Sequence, residues 1–271
     1  MKVLKLGQSL CSSGGGAPAV NLDFVFTVDT TIAGTSGVGF MALVMNGTPI
    51  NCDIDWGDGT SDTGVTASIT HDYTATTGAG IYTITASGTA ISIYFNNGGD
   101  RLKMTNIANW GIFKMRDANK NTFKACSNMT ATATDAPTME GTDLRGLFYN
   151  CTLFNGDVSD WSPPIGTFRM DRCFQSAAAF NSSVGDWDIS ACGSSFTAPF
   201  SIAFYGTEFY TNTPTSTVNL DAIYIGWGAQ SVQAGQTVDF GDAKYTGGGA
   251  AAAGKAALEA AGWIITDGGT V

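Results

Sequence analysis

The stretches FNGDVSDWS (154–162) and FNSSVGDWD (180–188) place Phe, Asn, Val and Trp at equivalent positions. The second stretch follows the first by 26 residues. A fixed period of roughly 20–50 residues is typical of repeat proteins, in which each unit buries its apolar face on the next one. We therefore predict a stack of repeats in which equivalent side chains lie next to one another.

The same spacing extends in both directions from these two stretches. Trp110 lies 51 residues before Trp161, and Val238 lies 51 residues after Trp187, so each interval is close to two periods. Counting the units that fit between these positions predicts a leucine-rich-repeat-like solenoid of about seven rungs, each of about 25–26 residues, over residues 99–271.

Two segments near the C-terminus have the spacing of short helices. NLDAIYIGW (219–227) places apolar residues on one helical face, and we expect Asn219 to be its N-cap. GAAAAGKAALEAAG (249–262) is rich in small residues, and we expect Gly262 to end this helix at the C′ position.

The preceding part of the chain, 22–98, has the pattern of a β-sandwich. Six short runs predict strands about a dozen residues apart: FVFTV, FMALVM, CDIDWGDGT, SITHDYT, IYTITASG and ISIYF. Such spacing favours an immunoglobulin-like antiparallel sandwich. The pair Asp58-Gly59 is a strong hairpin signal, since both residues accept a positive φ.

DWGDGT (55–60), followed by HDYTATTGAGIYTITASG (71–88), resembles the PKD-type immunoglobulin-like domain. The resemblance implies that Trp56 packs inside the sandwich and that the Tyr of the last hairpin faces it.

LFYNCTLFNGDVSDW (147–161) and CFQSAAAFNSSVGDWDIS (173–190) resemble the BspA-like surface repeat, also described as the Mycoplasma-type lipoprotein-associated repeat. The resemblance covers residues 96 to about 271 and implies a bacterial surface protein. Chains that join a PKD-type domain to such repeats also resemble phage structural proteins. The pattern is broken where Ser-Pro-Pro follows Trp161, and no Trp occurs in the rungs near 135 and 213.

A structural role is the favoured interpretation of the repeated residues. Phe would face inward, Trp would stack along one edge, and Asn would form a ladder that satisfies backbone groups at a turn. The residues are Phe154, Asn155, Trp161, Phe180, Asn181 and Trp187.

Little in the composition points to catalysis, so we expect no enzyme and no cofactor. His71 is the one histidine of the chain, and no nucleophile motif such as GxSxG accompanies it. Oxygen ligands close together can bind calcium, and we keep a weak calcium hypothesis beside a solvated hairpin for Asp53, Asp55, Asp58 and Asp62.

Other features restrict the partners. The net charge is −10 and the sequence contains no Lys/Arg cluster, so we expect no nucleic-acid partner. No apolar run has the roughly 18 residues of a membrane helix. Residues 1–21 lack a signal-peptide core, and we expect an extended leader that docks on another subunit.

The segment FYGTEFYTNT (204–213) departs most from the repeat. Its aromatic residues Tyr205, Phe209 and Tyr210 are candidate contacts for a sugar or a protein partner. The alternative is that they fill a gap where the rung near 213 is irregular. For the six cysteines, we favour buried thiols over a disulfide between neighbouring rungs.

These observations predict a mainly β protein of two modules: a sandwich at 22–98 and a repeat solenoid at 99–271. The function we expect is that of a non-enzymatic virion protein of a bacteriophage, such as a head decoration, head fibre or tail-fibre element. It would attach to other virion proteins through its leader, be present in many copies or as a homo-oligomer, and face a host-surface glycan or protein. The alternative is a bacterial cell-surface adhesin.

Overall fold

The structure is a computed structural model that describes residues 22–116, 120–163, 169–192, 200 and 202–271. Within these residues twelve strands and two α-helices confirm the expectation of a mainly β protein. The expected docking leader lies outside the described residues.

Five of the six predicted runs in the first part of the chain form strands, and a further strand at Ser61–Val65 lies outside all six runs. In β1 every second residue is buried, and in β3 the buried residues are Cys52 and Ile54. The run ISIYF forms only isolated bridges at Ile91 and Ile93. The strands are β1 (Phe24–Asp29), β2 (Phe40–Leu43), β3 (Asn51–Asp55), β4 (Ser61–Val65), β5 (Ile69–Asp72) and β6 (Ile81–Ala90).

The hairpin between β3 and β4 forms at the predicted place, but its conformation differs from the expectation. Gly57 and Gly59 have positive φ angles of 77° and 90°, and Asp58 does not share this conformation. A Cβ on Gly57 would lie 2.4 Å from the carbonyl oxygen of Thr83. Gly57 is therefore required both by its backbone angle and by the close approach of β6.

The six-stranded sheet includes strands from both predicted modules. Its order is β4-β3-β6-β1-β7-β9, where β7 is Met104–Asn109 and β9 is Thr130–Ala131. β1 pairs antiparallel with β6 and with β7, whereas β7 and β9 are parallel. A single sheet therefore extends across residue 99, where the sequence analysis divides the chain.

A buried ion pair lies at this junction. The side chains of Lys103 and Asp100 are both fully buried, with Nζ and Oδ2 3.4 Å apart. The Lys103 ammonium also donates to the backbone carbonyls of Gly37 and Phe40 at 2.5 Å. Burial lowers the pKa of Lys103, and the Asp100 carboxylate opposes that shift. Both charges are thus compensated by hydrogen bonds, as burial requires.

The second part of the chain contains shorter strands and both α-helices. β8 and β10 are parallel, as are β11 and β12. None of the helices in the described residues is long and apolar enough to cross a membrane. The elements are β8 (Lys114–Met115), β10 (Thr138–Met139), α1 (Pro214–Gly228), β11 (Thr237–Asp239), α2 (Gly249–Ala260) and β12 (Ile264–Thr266).

α1 begins earlier than expected. Thr213 is its N-cap and accepts a hydrogen bond from the Ser216 amide, and Pro214 occupies the first turn. The expectation that Asn219 is the N-cap is wrong: Asn219 lies inside α1, where its amide donates to the Asn181 carbonyl at 2.9 Å. Pro at the first helical position loses no helical hydrogen bond, which explains the earlier start.

α2 ends as the sequence predicts. Gly262 has a φ of 83°, and its amide donates to the Glu259 carbonyl. The Trp263 amide donates to the Leu258 carbonyl at 3.2 Å, which completes a Schellman motif.

The interior of the second part is a column of phenylalanine rings. Phe123, Phe148, Phe174 and Phe204 follow one another with centroid distances of 5.7, 5.8 and 6.0 Å. All four rings are fully buried. At one end Phe113 lies 5.6 Å from Phe123 and continues the column toward the six-stranded sheet.

The five described cysteines are free and buried. They are Cys52, Cys126, Cys151, Cys173 and Cys192. Burial raises the pKa of the Cys126 and Cys173 thiols well above the usual value, which is the behaviour of inert core residues. Buried thiols are therefore the arrangement that the structure shows.

Candidate binding face

The ladder face is the surface formed by residues 120–125, 143–150, 169–176 and 202–206. Its four segments are joined by backbone hydrogen bonds. The amides of Phe123, Phe148 and Phe174 donate to the segment that follows, at 3.1, 2.8 and 3.0 Å. Because every step of the ladder repeats this pairing, equivalent side chains of successive segments lie next to one another.

Left-handed residues explain how each segment turns. Two residues per segment have φ between 48° and 73°, always at the same two positions of the repeat. Asn and Gly adopt this region readily and supply half of them. The residues are Asn121 and Ala125, Gly146 and Asn150, Arg172 and Ser176, and Ile202 and Gly206.

One outward column of the ladder face is aromatic and polar. Lys124, Tyr149, Gln175 and Tyr205 occupy equivalent positions, because the amides of Ala125, Asn150 and Ser176 donate to the carbonyls of Tyr149, Gln175 and Tyr205. The Lys124 ammonium lies 5.1 Å from the centre of the Tyr149 ring. Tyr205 is the most open member, with half of its surface exposed. Such a column offers flat rings and hydrogen-bonding groups to a ligand.

The basic edge of the ladder face consists of Lys120, Arg145, Arg169 and Arg172. These cations line a cleft of about 410 Å³ together with Asn121 and Asp171. They come from three successive segments, and the Asn121 amide donates to the Arg145 carbonyl while the Gly146 amide donates to the Asp171 carbonyl.

Two carboxylates offset part of this charge. Arg145 donates to both oxygens of Asp143, at 2.8 and 2.6 Å. Burial raises the pKa of Asp143, but the hydrogen bonds from Arg145 outweigh it and hold the pKa below the usual value. Arg169 Nε donates to Asp171 at 3.0 Å, yet burial raises the pKa of Asp171. With four cations and two carboxylates, the basic edge has a net positive charge.

Sequence reasoning missed the basic edge because its members are scattered along the chain. A signal does exist, since Lys120, Arg145 and Arg169 are 25 and 24 residues apart, which is close to the repeat period. Only the repeat alignment brings these isolated cations together.

The predicted contact residues divide into exposed and buried ones. Tyr205 is exposed and packs edge-to-face on Tyr210. Phe209 is fully buried between Phe204 and Phe240, so it is not available to a partner. The Tyr210 hydroxyl donates to Asp239 Oδ2 at 2.7 Å, and burial together with this carboxylate raises the pKa of Tyr210 to about 12.

The repeated aromatic residues are buried and stacked. The rings of Trp161 and Trp187 are 6.4 Å apart and nearly parallel, and those of Phe154 and Phe180 are 6.3 Å apart. The Trp187 indole Nε1 donates to the Val158 carbonyl at 2.8 Å. These residues form the interior next to the ladder face and do not reach a ligand.

The repeated asparagines bond to each other. The Asn181 amide N–H donates to Asn155 Oδ1 at 2.8 Å, and the Asn219 side chain donates to Asn181 Oδ1 at 2.9 Å. This row of hydrogen-bonded asparagines, the asparagine ladder, therefore extends from the repeat to Asn219 in α1.

Two further indoles pack next to the repeated Trp residues. Trp110 packs edge-to-face on Trp161, with the ring centres 5.2 Å apart. Beyond Trp187 the next indole comes from α1, where Trp227 Nε1 donates to the Val184 carbonyl at 2.9 Å. This bond is equivalent to the one from Trp187 to Val158.

The acidic residues of the first hairpin are separately engaged. Asp53 accepts from the Gly64 amide, Asp55 from the Gly57 amide, and Asp62 from the Trp56 indole at 2.8 Å. Within the described ranges no group of three or more His, Cys, Asp or Glu residues is arranged to hold a metal ion. The hairpin geometry thus adds nothing to the calcium hypothesis.

His71 belongs to the packing of the same hairpin. Its Nε2 lies 2.9 Å from Asp58 Oδ2, and its ring stacks on Trp56 at 4.6 Å. Asp58 also accepts hydrogen bonds from the hydroxyls of Thr60 and Thr76. The hydroxyl of Tyr73, in the connection between β5 and β6, donates to the Trp56 carbonyl at 3.1 Å.

Comparison with known proteins gives one match. Residues 89–212 match the model of a family described as "Mycoplasma protein of unknown function, DUF285". The matched range is somewhat less than half of the chain, and it contains the whole ladder face. No curated protein and no solved structure matches the chain.

Proposed function

We propose that this chain is a non-enzymatic structural protein that is displayed on a surface and binds a partner through the ladder face. The observation that carries the proposal is the ladder itself, in which four segments place equivalent side chains side by side over a filled aromatic interior. Repeat stacks of this kind provide extended recognition surfaces.

The fold that we propose has two modules. A leucine-rich-repeat-like solenoid over 99–271 is supported by the ladder bonds and by the column of phenylalanine rings. A PKD-type immunoglobulin-like sandwich over 22–98 is supported by the antiparallel pairing of β4, β3, β6 and β1, by the β2–β5 pair and by the buried Trp56.

A non-catalytic role is supported by the way in which the reactive groups are used. His71 is held by Asp58 and Trp56, and the described thiols are buried. The ladder face carries cations, amides and aromatic rings, which bind ligands without a nucleophile or a general base.

The bacterial cell surface is the location that the family match favours, because the matched family is a Mycoplasma surface-protein family. The surface of a phage particle is the second candidate. It is motivated by the resemblance of PKD-plus-repeat chains to phage structural proteins, and docking through residues 1–21 belongs to this candidate.

Fractionation of the source would test the display. Peptides of this chain should be released from intact cells by brief protease treatment, or should be found by mass spectrometry in purified phage particles. Release of these peptides only after cell lysis, together with their absence from particles, would contradict surface display.

A binding test would then examine the ladder face. We expect Tyr205→Ser to weaken attachment to the target surface without changing the melting temperature, because half of this residue is exposed. Tyr210→Ser is the matched control, and it should lower the melting temperature because its hydroxyl is bonded to Asp239. Undiminished attachment of the Tyr205→Ser variant would show that the aromatic and polar column of the ladder face does not contact the partner.

A further inference from the structure

We infer that the basic edge is a binding site for the phosphate or sulfate esters of an anionic glycan. The inference deepens the proposed function, on which it rests, by naming the ligand chemistry of the ladder face. It depends on where the cations lie, which the sequence alone does not reveal.

Positive charge is concentrated on the ladder face. The chain has a net charge of −10 and only 13 Lys and Arg residues. Five of these lie on the ladder face within three successive segments. They are Lys120, Lys124, Arg145, Arg169 and Arg172. Such concentration in an acidic protein produces a local positive field that attracts anions.

The four cations of the basic edge differ in their exposure and in their bonding. Arg172 and Lys120 are exposed, and neither forms a salt bridge within the part of the chain that the structure describes. Arg145 and Arg169 are held in place by Asp143 and Asp171. The cleft thus combines two guanidinium groups oriented by carboxylates with two exposed cations that form no salt bridge in the described part of the chain.

The shape of the cleft suits several oxyanions in a row. The cleft has a volume of about 410 Å³ and is lined by cations from three segments. With roughly 4.8 Å between paired segments, the cations extend over about 10 Å along the stack. A tetrahedral oxyanion accepts several N–H bonds at once, and guanidinium groups match its geometry. The length of the edge favours several oxyanions on one flexible chain over a single small ion.

The rest of the surface disfavours long, stiff polyanions. The chain outside the ladder face carries a strong net negative charge, so it would repel a nucleic-acid duplex that extends past the cleft. A flexible glycan can contact the basic edge alone.

Binding of the purified chain to three immobilised polymers would test the inference: heparin, a phosphorylated mannan and neutral dextran. We expect binding to at least one of the two anionic polymers and none to dextran. Heparin binding would point to sulfated host glycans, and mannan binding to phosphate-bearing microbial polymers. Raising the salt from about 50 to about 200 mM should weaken binding strongly.

Two single variants and a control locate the site. Arg172→Gln and Lys120→Gln should each weaken binding about five- to tenfold, and neither should change the melting temperature. Lys244→Gln removes the same charge away from the cleft and should have little effect.

The inference is overturned if neither anionic polymer binds, if dextran binds equally, or if the Lys244 variant loses as much affinity as the other two. These experiments use purified protein, so their failure leaves surface display to be judged by fractionation. Conversely, a chain found only inside cells would contradict the display proposal without affecting the binding result.

Discussion

At the scale of single residues, stacked rings stabilise the repeat. Phe180 is fully buried, lies 3.8 Å from Phe174 between ring centres and stacks on Phe154. We expect Phe180→Ala to lower the free energy of unfolding by about 3–5 kcal/mol, since it leaves a cavity beside the column of phenylalanine rings. Urea denaturation measures this.

The control for this variant is Leu153→Ala, because Leu153 is half exposed and its truncation should change stability little. Equal stability of the Phe180 variant and the unchanged protein would mean that the ring does not face the interior.

Asp58 should make the first hairpin sensitive to acid. Its side chain is closed to solvent, and burial alone would raise its pKa, but hydrogen bonds from Thr60, Thr76 and His71 outweigh burial and depress the pKa far below the usual value. An acid with a depressed folded-state pKa stabilises the protein above the unfolded pKa of about 4 and loses this contribution as the pH falls further.

We therefore expect the melting temperature to fall below about pH 4. At pH 6 the Asp58→Asn variant should have a lower melting temperature than the unchanged protein. Below pH 4 the melting temperature of the variant should decrease less than that of the unchanged protein. Melting curves between about pH 6 and about pH 2.5 measure this difference. Curves for the two proteins that run parallel over the whole range would exclude Asp58 as the source.

Individual residues also show where sequence reasoning reaches its limit. The spacing of Trp161 and Trp187 was sufficient to place them together, because a repeat preserves the environment of each side chain. It did not reveal that Trp227 supplies the next indole, since α1 interrupts the period. The basic edge was not predicted for a related reason. Its cations are far apart in the sequence, and they can be recognised as neighbours only when the alignment of the segments is known.

At the scale of elements, the two helices pack through glycines. A Cβ on Gly254 of α2 would lie 2.0 Å from the Tyr224 carbonyl oxygen of α1. Helix propensity alone predicts that Gly254→Ala stabilises α2 by up to about 1 kcal/mol. We expect the opposite sign, a loss of about 1–3 kcal/mol, because the backbone of α1 cannot move away without disturbing the core.

Thermal or urea unfolding of Gly254→Ala decides between these two signs. Ala253→Gly is the matched control, since Ala253 is an exposed neighbour in α2 whose change affects propensity alone. Stabilisation by Gly254→Ala would show that the helices are further apart than described.

Element boundaries were predicted unevenly. The end of α2 was correct because Gly262 at C′ is a local signal. The start of α1 was missed because Asn219 looks like a cap, whereas its amide serves the asparagine ladder. Local chemistry alone does not separate these two uses of an Asn side chain.

At the scale of the whole molecule, the predicted modules share one sheet. β7 of the second pairs with β1 of the first, and Phe24 packs on Phe113 at 4.7 Å. Strand order in a sheet is a long-range property that periodicity does not contain, so the division at residue 99 rested on the local strand spacing before it and the repeat period after it.

Because of this shared sheet we expect residues 22–271 to unfold in one transition in scanning calorimetry. Expression of residues 99–271 alone should give a less stable product, since β7 then lacks its antiparallel partner. Two separate transitions in the full chain, one of which matches that of the isolated 99–271 fragment, would establish independent domains.

Amide hydrogen exchange at Phe123, Phe148 and Phe174 tests most directly the central claim that successive segments are bonded into one face. These residues lie in turns, but each amide donates to the next segment. We predict that all three exchange as slowly as the amides of β1, because they open only when the stack opens. Exchange within about tenfold of an unstructured peptide at these three positions would contradict the ladder and the face built on it.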